Sequence, residues 1–237
     1  GTVGTPIAVG SSSSTIAAAP DGSRVYVSNA GQFTISVIDT STDTVVATIW
    51  PYYSEEYQGW TLNEEMIVSP DGTRLYAPGE DGTVSVIDTA TNTVVAAHPL
   101  GAFTALGIGA DGRHLYGANR STVSVIDTAS LIETAEFAIG PEWDLNSMGG
   151  AFIGVPHSVT VVDGNRLYVT QHLTTVERAF GGYSNGEFIT DQTGQTWRVT
   201  GGYGLVTVID IDPASATHGS QIATVRLTGD PQGLALC

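Results

Sequence analysis

A chain of 237 residues that is 41% hydrophobic and only 14% charged has apolar content for a sizeable core and is not a disordered acidic tail. Its eight basic residues, all arginine, face 24 acidic ones, and the resulting net charge of −16 disfavours nucleic-acid binding and electrostatic membrane docking. One cysteine, Cys237, excludes an internal disulfide and Cys-rich zinc motifs, and no apolar run reaches the roughly 20 residues of a membrane span.

The chain opens at Gly1 without Met or a charged leader, which reads as a processed or excised segment and permits secretion. Gly4-Thr5-Pro6-Ile7-Ala8-Val9-Gly10 then looks like a strand separated from its sheet. From residue 11 a repeat of about forty residues begins. Its first copy reads IAAAPDGSRVYVSN from Ile16, TISVIDT to Thr40 and TVVATI to Ile49. A second copy reads MIVSPDGTRLYAPG from Met66, TVSVIDT to Thr89 and TVVAAHPLG. The third reads LGIGADGRHLYGAN from Leu106, TVSVIDT to Thr128 and ETAEFAIG. The fourth reads VTVVDGNRLYVTQ from Val159 and, after a long insertion, LVTVIDID to Asp212 and QIATVRLTG. Asp21 to Tyr26, Asp71 to Tyr76, Asp111 to Tyr116 and Asp163 to Tyr168 are each five residues apart, a regularity that composition alone does not produce.

Each copy predicts four short antiparallel strands. An apolar strand a meets strand b, with its Tyr, through an Asp-Gly turn whose glycine accepts positive φ. Strand c is Val-Ser-Val-Ile-Asp and strand d is Thr-Val-Val-Ala. Asp39, Asp88 and Asp127 end strand c in Asp-Thr runs, where a carboxylate staples a turn by accepting backbone hydrogen bonds. They are expected to be structural rather than catalytic. Four-stranded sheets repeated in this way predict an all-β chain of β-propeller blades, over roughly 11–50, 66–101, 104–140 and 157–229.

The string SPDGTRLY, followed by GTVSVIDTATNTVVA, resembles the YVTN-type β-propeller repeat, and the resemblance covers nearly the whole chain. It implies a surface-layer or secreted protein, and related propellers also include lactonase-like enzymes and subunits of amine dehydrogenases. Four copies are fewer than the roughly seven blades such propellers carry. Gly229-Asp230-Pro231-Gln232-Gly233-Leu234-Ala235-Leu236 looks like a strand a without its turn. Either the two ends share a split fifth blade, or the chain belongs to a larger ring with edges open to association, which is the favoured reading.

Three irregular stretches interrupt the repeat: 50–65, 141–156 and 173–202. If the a–b and c–d turns lie at one end of each blade, the d–a and b–c connections lie at the other, so all three should emerge on one face. All four tryptophans fall in them, Trp50, Trp60, Trp143 and Trp197, together with Tyr53, Tyr57 and Tyr183. Carboxylates accompany them: Glu55, Glu56, Glu64, Glu65, Glu142, Asp144, Glu177, Glu187 and Asp191. Rings beside carboxylates suit a glycan or a neutral or cationic small molecule, or a protein partner, through stacking, cation–π contact and hydrogen bonding. They equally suit satellite cores that fold the loops down.

His157 and His172 flank the fourth copy at the same end. With Glu142, Asp144 or Glu177 they make a candidate site for a transition metal such as Zn, Cu or Fe, although no two-His helical motif supports one. No nucleophile elbow or haem-attachment motif is present, which leans away from an enzyme. The leading expectation is an extracellular binding or interaction module, whose ligand set is Trp50, Tyr53, Glu56, Tyr57, Trp60, Glu142, Trp143, Asp144, Tyr183 and Trp197. A propeller enzyme or a subunit docking a catalytic partner are the alternatives.

Overall fold

The computed structural model describes residues 4–51, 65–79, 81–119, 122–139, 151–178, 188–190 and 196–227, with 151–155, 172–178, 188–190, 196–204, 226 and 227 by backbone alone. Those residues form strands and turns, without a helix. The first sheet is β1 (Ser13–Ala18), β2 (Arg24–Asn29), β3 (Thr34–Asp39) and β4 (Thr44–Ile49), hydrogen-bonded in chain order. The second repeats it with β5 (Ile67–Val68), β6 (Arg74–Pro78), β7 (Thr83–Asp88) and β8 (Thr93–Pro99). So does the third, with β9 (Ala105–Ile108), β10 (His114–Asn119), β11 (Thr122–Asp127) and β12 (Ile132–Ala138). The fourth joins β13 (Ala151–Val162), β14 (Arg166–Arg178), β16 (Thr196–Asp210) and β17 (Gln221–Leu227), and β15 (Phe188–Thr190) pairs with the start of β16.

Burial follows each strand's place in its sheet. Strand c lies second from the edge and is covered on both faces, so every residue of Thr34–Ile38 and of Thr83–Ile87 is buried. That explains its nearly continuous run of apolar and small residues. The fourth strand of the sheet is mostly exposed or half-buried and leaves Val46 and Val95 about half exposed. Ser36, Ser85, Ser124 and Thr207 repeat one buried hydroxyl on strand c. In the first sheet it is satisfied by the Asn29 amide, which donates to Ser36 Oγ at 2.9 Å and to Thr34 Oγ1 at 3.2 Å.

The turns are built as the repeat predicts, with one addition. Gly22, Gly72, Gly112 and Gly164 have φ of 72°, 74°, 70° and 67°, so a side chain there would strain the a–b turn. The addition is the threonine of Val-Ile-Asp-Thr. Thr40, Thr89 and Thr128 donate Oγ1 to the carbonyls of Gly22, Gly72 and Gly112 at 2.7, 2.6 and 2.7 Å. Their amides donate to Ser23, Thr73 and Arg113. The c–d turn is thus tied to the a–b turn of the same blade. In the fourth copy Ile211 replaces the threonine and keeps only the amide bond, to Asn165.

The chain divides into two compact units: residues 1–117 with 125–135, and residues 118–124 with 136–237, the boundary running through the third sheet. The first unit holds two buried clusters. Tyr26, Ile35, Val37, Ile49, Met66, Leu75 and Ile87 belong to one, and Tyr76, Val84, Phe103, Leu106, Leu115 and Ile126 to the other. The second unit buries Val159, Leu167, Val169, Val208 and Ile209 from the fourth sheet. Burying one such aliphatic side chain contributes roughly 1.5–3 kcal/mol, and the repeat supplies several per blade.

Candidate functional site

In the fourth sheet, part of what the sequence presents as irregular connection is strand. Residues 151–154 and 173–176 pair directly, Ala151 opposite Val176 and Gly154 opposite Leu173. Beyond them Arg178 faces Trp197 and Glu177 faces Arg198. The stretches Phe-Ile-Gly-Val and Leu-Thr-Thr-Val are rich in β-branched and aromatic residues, so they continue the ladder beyond the repeat's usual length. Ala151, where β13 begins, and Arg178, where β14 ends, therefore lie at one end of this sheet, beside the β15–β16 hairpin that carries Trp197. The opposite end is closed by the short turn Val162-Asp163-Gly164-Asn165, in which the Asn165 amide donates to the Val162 carbonyl at 3.2 Å.

His157 and His172 lie on adjacent strands of the same sheet. His172 is opposite Val155 on β13 and Gly204 on β16. His157 occupies the register shift between Pro156 and Ser158, a bulge that re-aims a side chain, and it is half-buried. Next to them Gln171, Thr170 and Thr207 are buried, and Thr207 Oγ1 donates to Gln171 Oε1 at 3.2 Å. No group of three His, Cys, Asp or Glu side chains that could hold a metal occurs among the described residues.

In the first unit, Trp50 and Glu65 mark the two roots of the 50–65 connection. Trp50 follows β4 and is 69% exposed, while Pro51 after it is buried. Glu65 precedes Met66 and β5. Its Oε2 is buried without a hydrogen-bond partner, and burial pushes its carboxyl up to about 7. The residues next inward, Ile49 and Met66, belong to one buried cluster, so both roots rise from the same core. Glu65 is one of the carboxylates picked out in the sequence, but its burial carries no sequence signal.

Tyr53, Glu56, Tyr57, Trp60, Glu142, Trp143, Asp144 and Tyr183 lie outside the described residues, and Trp197 and His172 are described by backbone alone. Of the ligand set, the structure thus describes the side chain of Trp50 only.

The repeated aspartates each end the third strand of the repeat, at the turn that follows it. Asp39 Oδ1 accepts from the Ser41 hydroxyl at 2.6 Å and its amide at 2.9 Å, and Asp127 Oδ1 accepts from the Ser130 hydroxyl and amide. Asp88 Oδ1 accepts the Thr91 amide at 3.0 Å, while Oδ2 meets Arg74 at 2.6 Å. Asp210 accepts from the hydroxyls of Ser215 and Thr217, each at 2.5 Å. These donors hold all four carboxyls below the usual range, as expected of structural anions. Between successive a–b turns lie two equivalent clefts of about 470 and 480 Å3, one over Tyr26 and one over Tyr76. Their walls are the Asp-Gly turns, and Asp21 and Asp71 spend Oδ1 on Ser23 and Thr73 within those turns.

No family model matches the sequence, and no curated protein does. A solved structure that it matches is the Kuenenia stuttgartiensis hydrazine synthase, at 18% identity and a TM-score of 0.53 over 93% of this chain and 76% of that one. Such a likeness, with four antiparallel four-stranded blades, decides the architecture. The fold is a β-propeller. At this identity the propeller fold is all that the likeness carries, since one fold hosts many functions.

Proposed function

We propose that this β-propeller is an extracellular or cell-surface binding module of the YVTN type, taking its ligand or partner on the end of the blades that carries the long connections. One observation carries the reading. The fourth sheet is prolonged at one end only, where the start of β13, the end of β14 and the β15–β16 hairpin meet, while its other end is closed by a tight turn. An extended strand platform bearing long connections is where repeat scaffolds place recognition. The contrast in carboxyl chemistry supports it. Asp39, Asp88, Asp127 and Asp210 are each consumed by the turn that follows their own strand, whereas Glu65 at the root of a connection is not.

A screen of glycans, amines and candidate protein partners, repeated with Trp60→Ala and Trp143→Ala, tests this. Both variants are expected to keep the wild-type Tm and to lose roughly tenfold or more in affinity, the effect of truncating an aromatic anchor. Wild-type binding by both variants, or no ligand for any form, rejects the reading.

The placement of His157 on a bulge beside His172 favours a second reading, a metal-dependent propeller enzyme. Elemental analysis of the purified protein separates the two. A stoichiometric transition metal that disappears in His157→Ala selects the enzyme.

A further inference from the structure

The two clefts between successive a–b turns are built from the same repeat positions, yet their polar groups are in different states. In the cleft over Tyr76 the Arg74 guanidinium is engaged, with Nη1 meeting Asp88 Oδ2 at 2.6 Å and donating to the Thr73 carbonyl at 2.9 Å. The Tyr76 hydroxyl there shares a hydrogen bond with the Thr128 side chain. In the cleft over Tyr26 the corresponding Arg24 is half-buried and makes neither an ion pair nor a hydrogen bond among the described residues. Arg24 lies opposite Asp39 in register as Arg74 lies opposite Asp88, but only the second pair closes. Tyr26 is 1% exposed, and its hydroxyl also has no hydrogen-bond partner among the described residues, whereas a buried tyrosine ordinarily finds one. Asp21 and Asp71 wall the same cleft, and each spends Oδ1 within its own turn while its Oδ2 accepts no hydrogen bond there. Folding alone does not call for that set, since the second cleft shows the same positions satisfying one another.

We propose that the cleft over Tyr26 binds a small zwitterion of the α-amino acid class, its carboxylate taken by Arg24 and the Tyr26 hydroxyl and its ammonium by Oδ2 of Asp21 and of Asp71. The chemistry of the lining selects this class. A guanidinium carries donors only and matches a carboxylate in a planar fork, and an aspartate carries acceptors only and rewards a charged donor. A lone anion meets Asp21, Asp71 and a net charge of −16, and a lone cation is repelled by Arg24 and leaves it unpaired. A ligand with both charges answers each group and brings no net charge. The volume of about 470 Å3 lies within the roughly 300–1,000 Å3 of small-molecule sites. This site is built from turns of the repeat, not from the long connections, so it goes beyond the binding role proposed above.

The test uses the whole chain and three probes, L-alanine and its two singly charged halves, propionate and ethylammonium, titrated by ligand-detected NMR. L-Alanine is expected to bind saturably and roughly tenfold or more tighter than either half. Arg24→Gln should weaken alanine binding by roughly tenfold or more, the loss of a charge-assisted hydrogen bond, while keeping the wild-type Tm because Arg24 has no partner to lose. Arg74→Gln is the control: it removes the guanidinium that Asp88 already holds and should leave alanine affinity unchanged. Unchanged alanine affinity in Arg24→Gln overturns the proposal, as does an equal loss in Arg74→Gln, equal affinity for all three probes, or no saturable binding of alanine. The readout at Arg24 does not depend on the ligand sought at the loop-bearing end, so either proposal can fail alone.

Discussion

A threonine hydroxyl illustrates how much one side chain contributes in this protein. Thr89 Oγ1 donates to the Gly72 carbonyl at 2.6 Å and fastens two turns of one blade together. Thr89→Val keeps the shape and the amide bond to Thr73 but orphans that carbonyl. The expected cost is about 1 kcal/mol, seen as a lower midpoint in urea unfolding with an unchanged m-value. Glu65 gives the opposite kind of prediction. Its folded pKa, pushed up by burial to about 7 from the ordinary glutamate value of 4.5, means that the folded state binds more protons than the unfolded one between those pH values. The contribution is therefore fully present below about 4.5 and is lost as pH rises through about 7. Solvent around this partly exposed residue reduces it to roughly 1–2 kcal/mol. Glu65→Gln should flatten the decline in Tm across that window; a parallel decline in both proteins would place the titration elsewhere.

At the level of strands and turns, the repeat was readable because spacing and chemistry coincide. Pro-Asp-Gly dictates a turn with positive φ, Val-Ser-Val-Ile-Asp a strand covered on both faces, and Asp-Thr a side-chain-stapled turn. The fourth sheet was less readable. Residues 173–178 and 196–202 read as an irregular stretch, yet they pair as strand, Thr174 opposite Gly202 and Arg178 opposite Trp197, with one register shift between Thr175 and Val176. Local sequence could not show it, since a ladder's length depends on whether its partner lies alongside. The extension should be separable from the blade. Replacing 179–196 with a two-residue Asn-Gly turn between Arg178 and Trp197 removes β15 with the connection and is expected to leave the remaining β-sheet signal in circular dichroism and Tm within a few degrees of wild type. The pairs from Arg166–Asp210 to Thr175–Gly201 retain their partners. Loss of cooperative unfolding would show instead that the connection holds the fold.

For the molecule as a whole, the first unit holds two buried clusters assembled from successive repeats, and contacts between turns link the blades within it. A Cβ on Gly72 would lie 3.8 Å from the Pro20 ring, and one on Gly112 would lie 3.5 Å from the Pro70 ring, so each turn's proline meets the next turn's glycine. Such stacking explains why the same turn recurs: each blade buries an apolar face only against its neighbour. An excess of acidic over basic residues large enough to give −16 coexists with this core because turn carboxylates such as Asp39, Asp71 and Asp127 lie at the surface, where their own donors hold them ionised.

The sequence by itself determined the architecture, because a forty-residue period with fixed turn residues leaves the chain few ways to bury its strands. It also marked the aspartates that end strand c as turn staples, since Asp followed by Thr and Ser satisfies its own backbone locally. Only the tertiary structure decided that 173–178 and 196–202 extend a sheet, that His157 sits on a bulge beside the strand of His172, and that Glu65 is shielded without a donor. Each of these depends on which residue lies opposite or above another, and cross-strand register and burial arise from contacts distant in sequence.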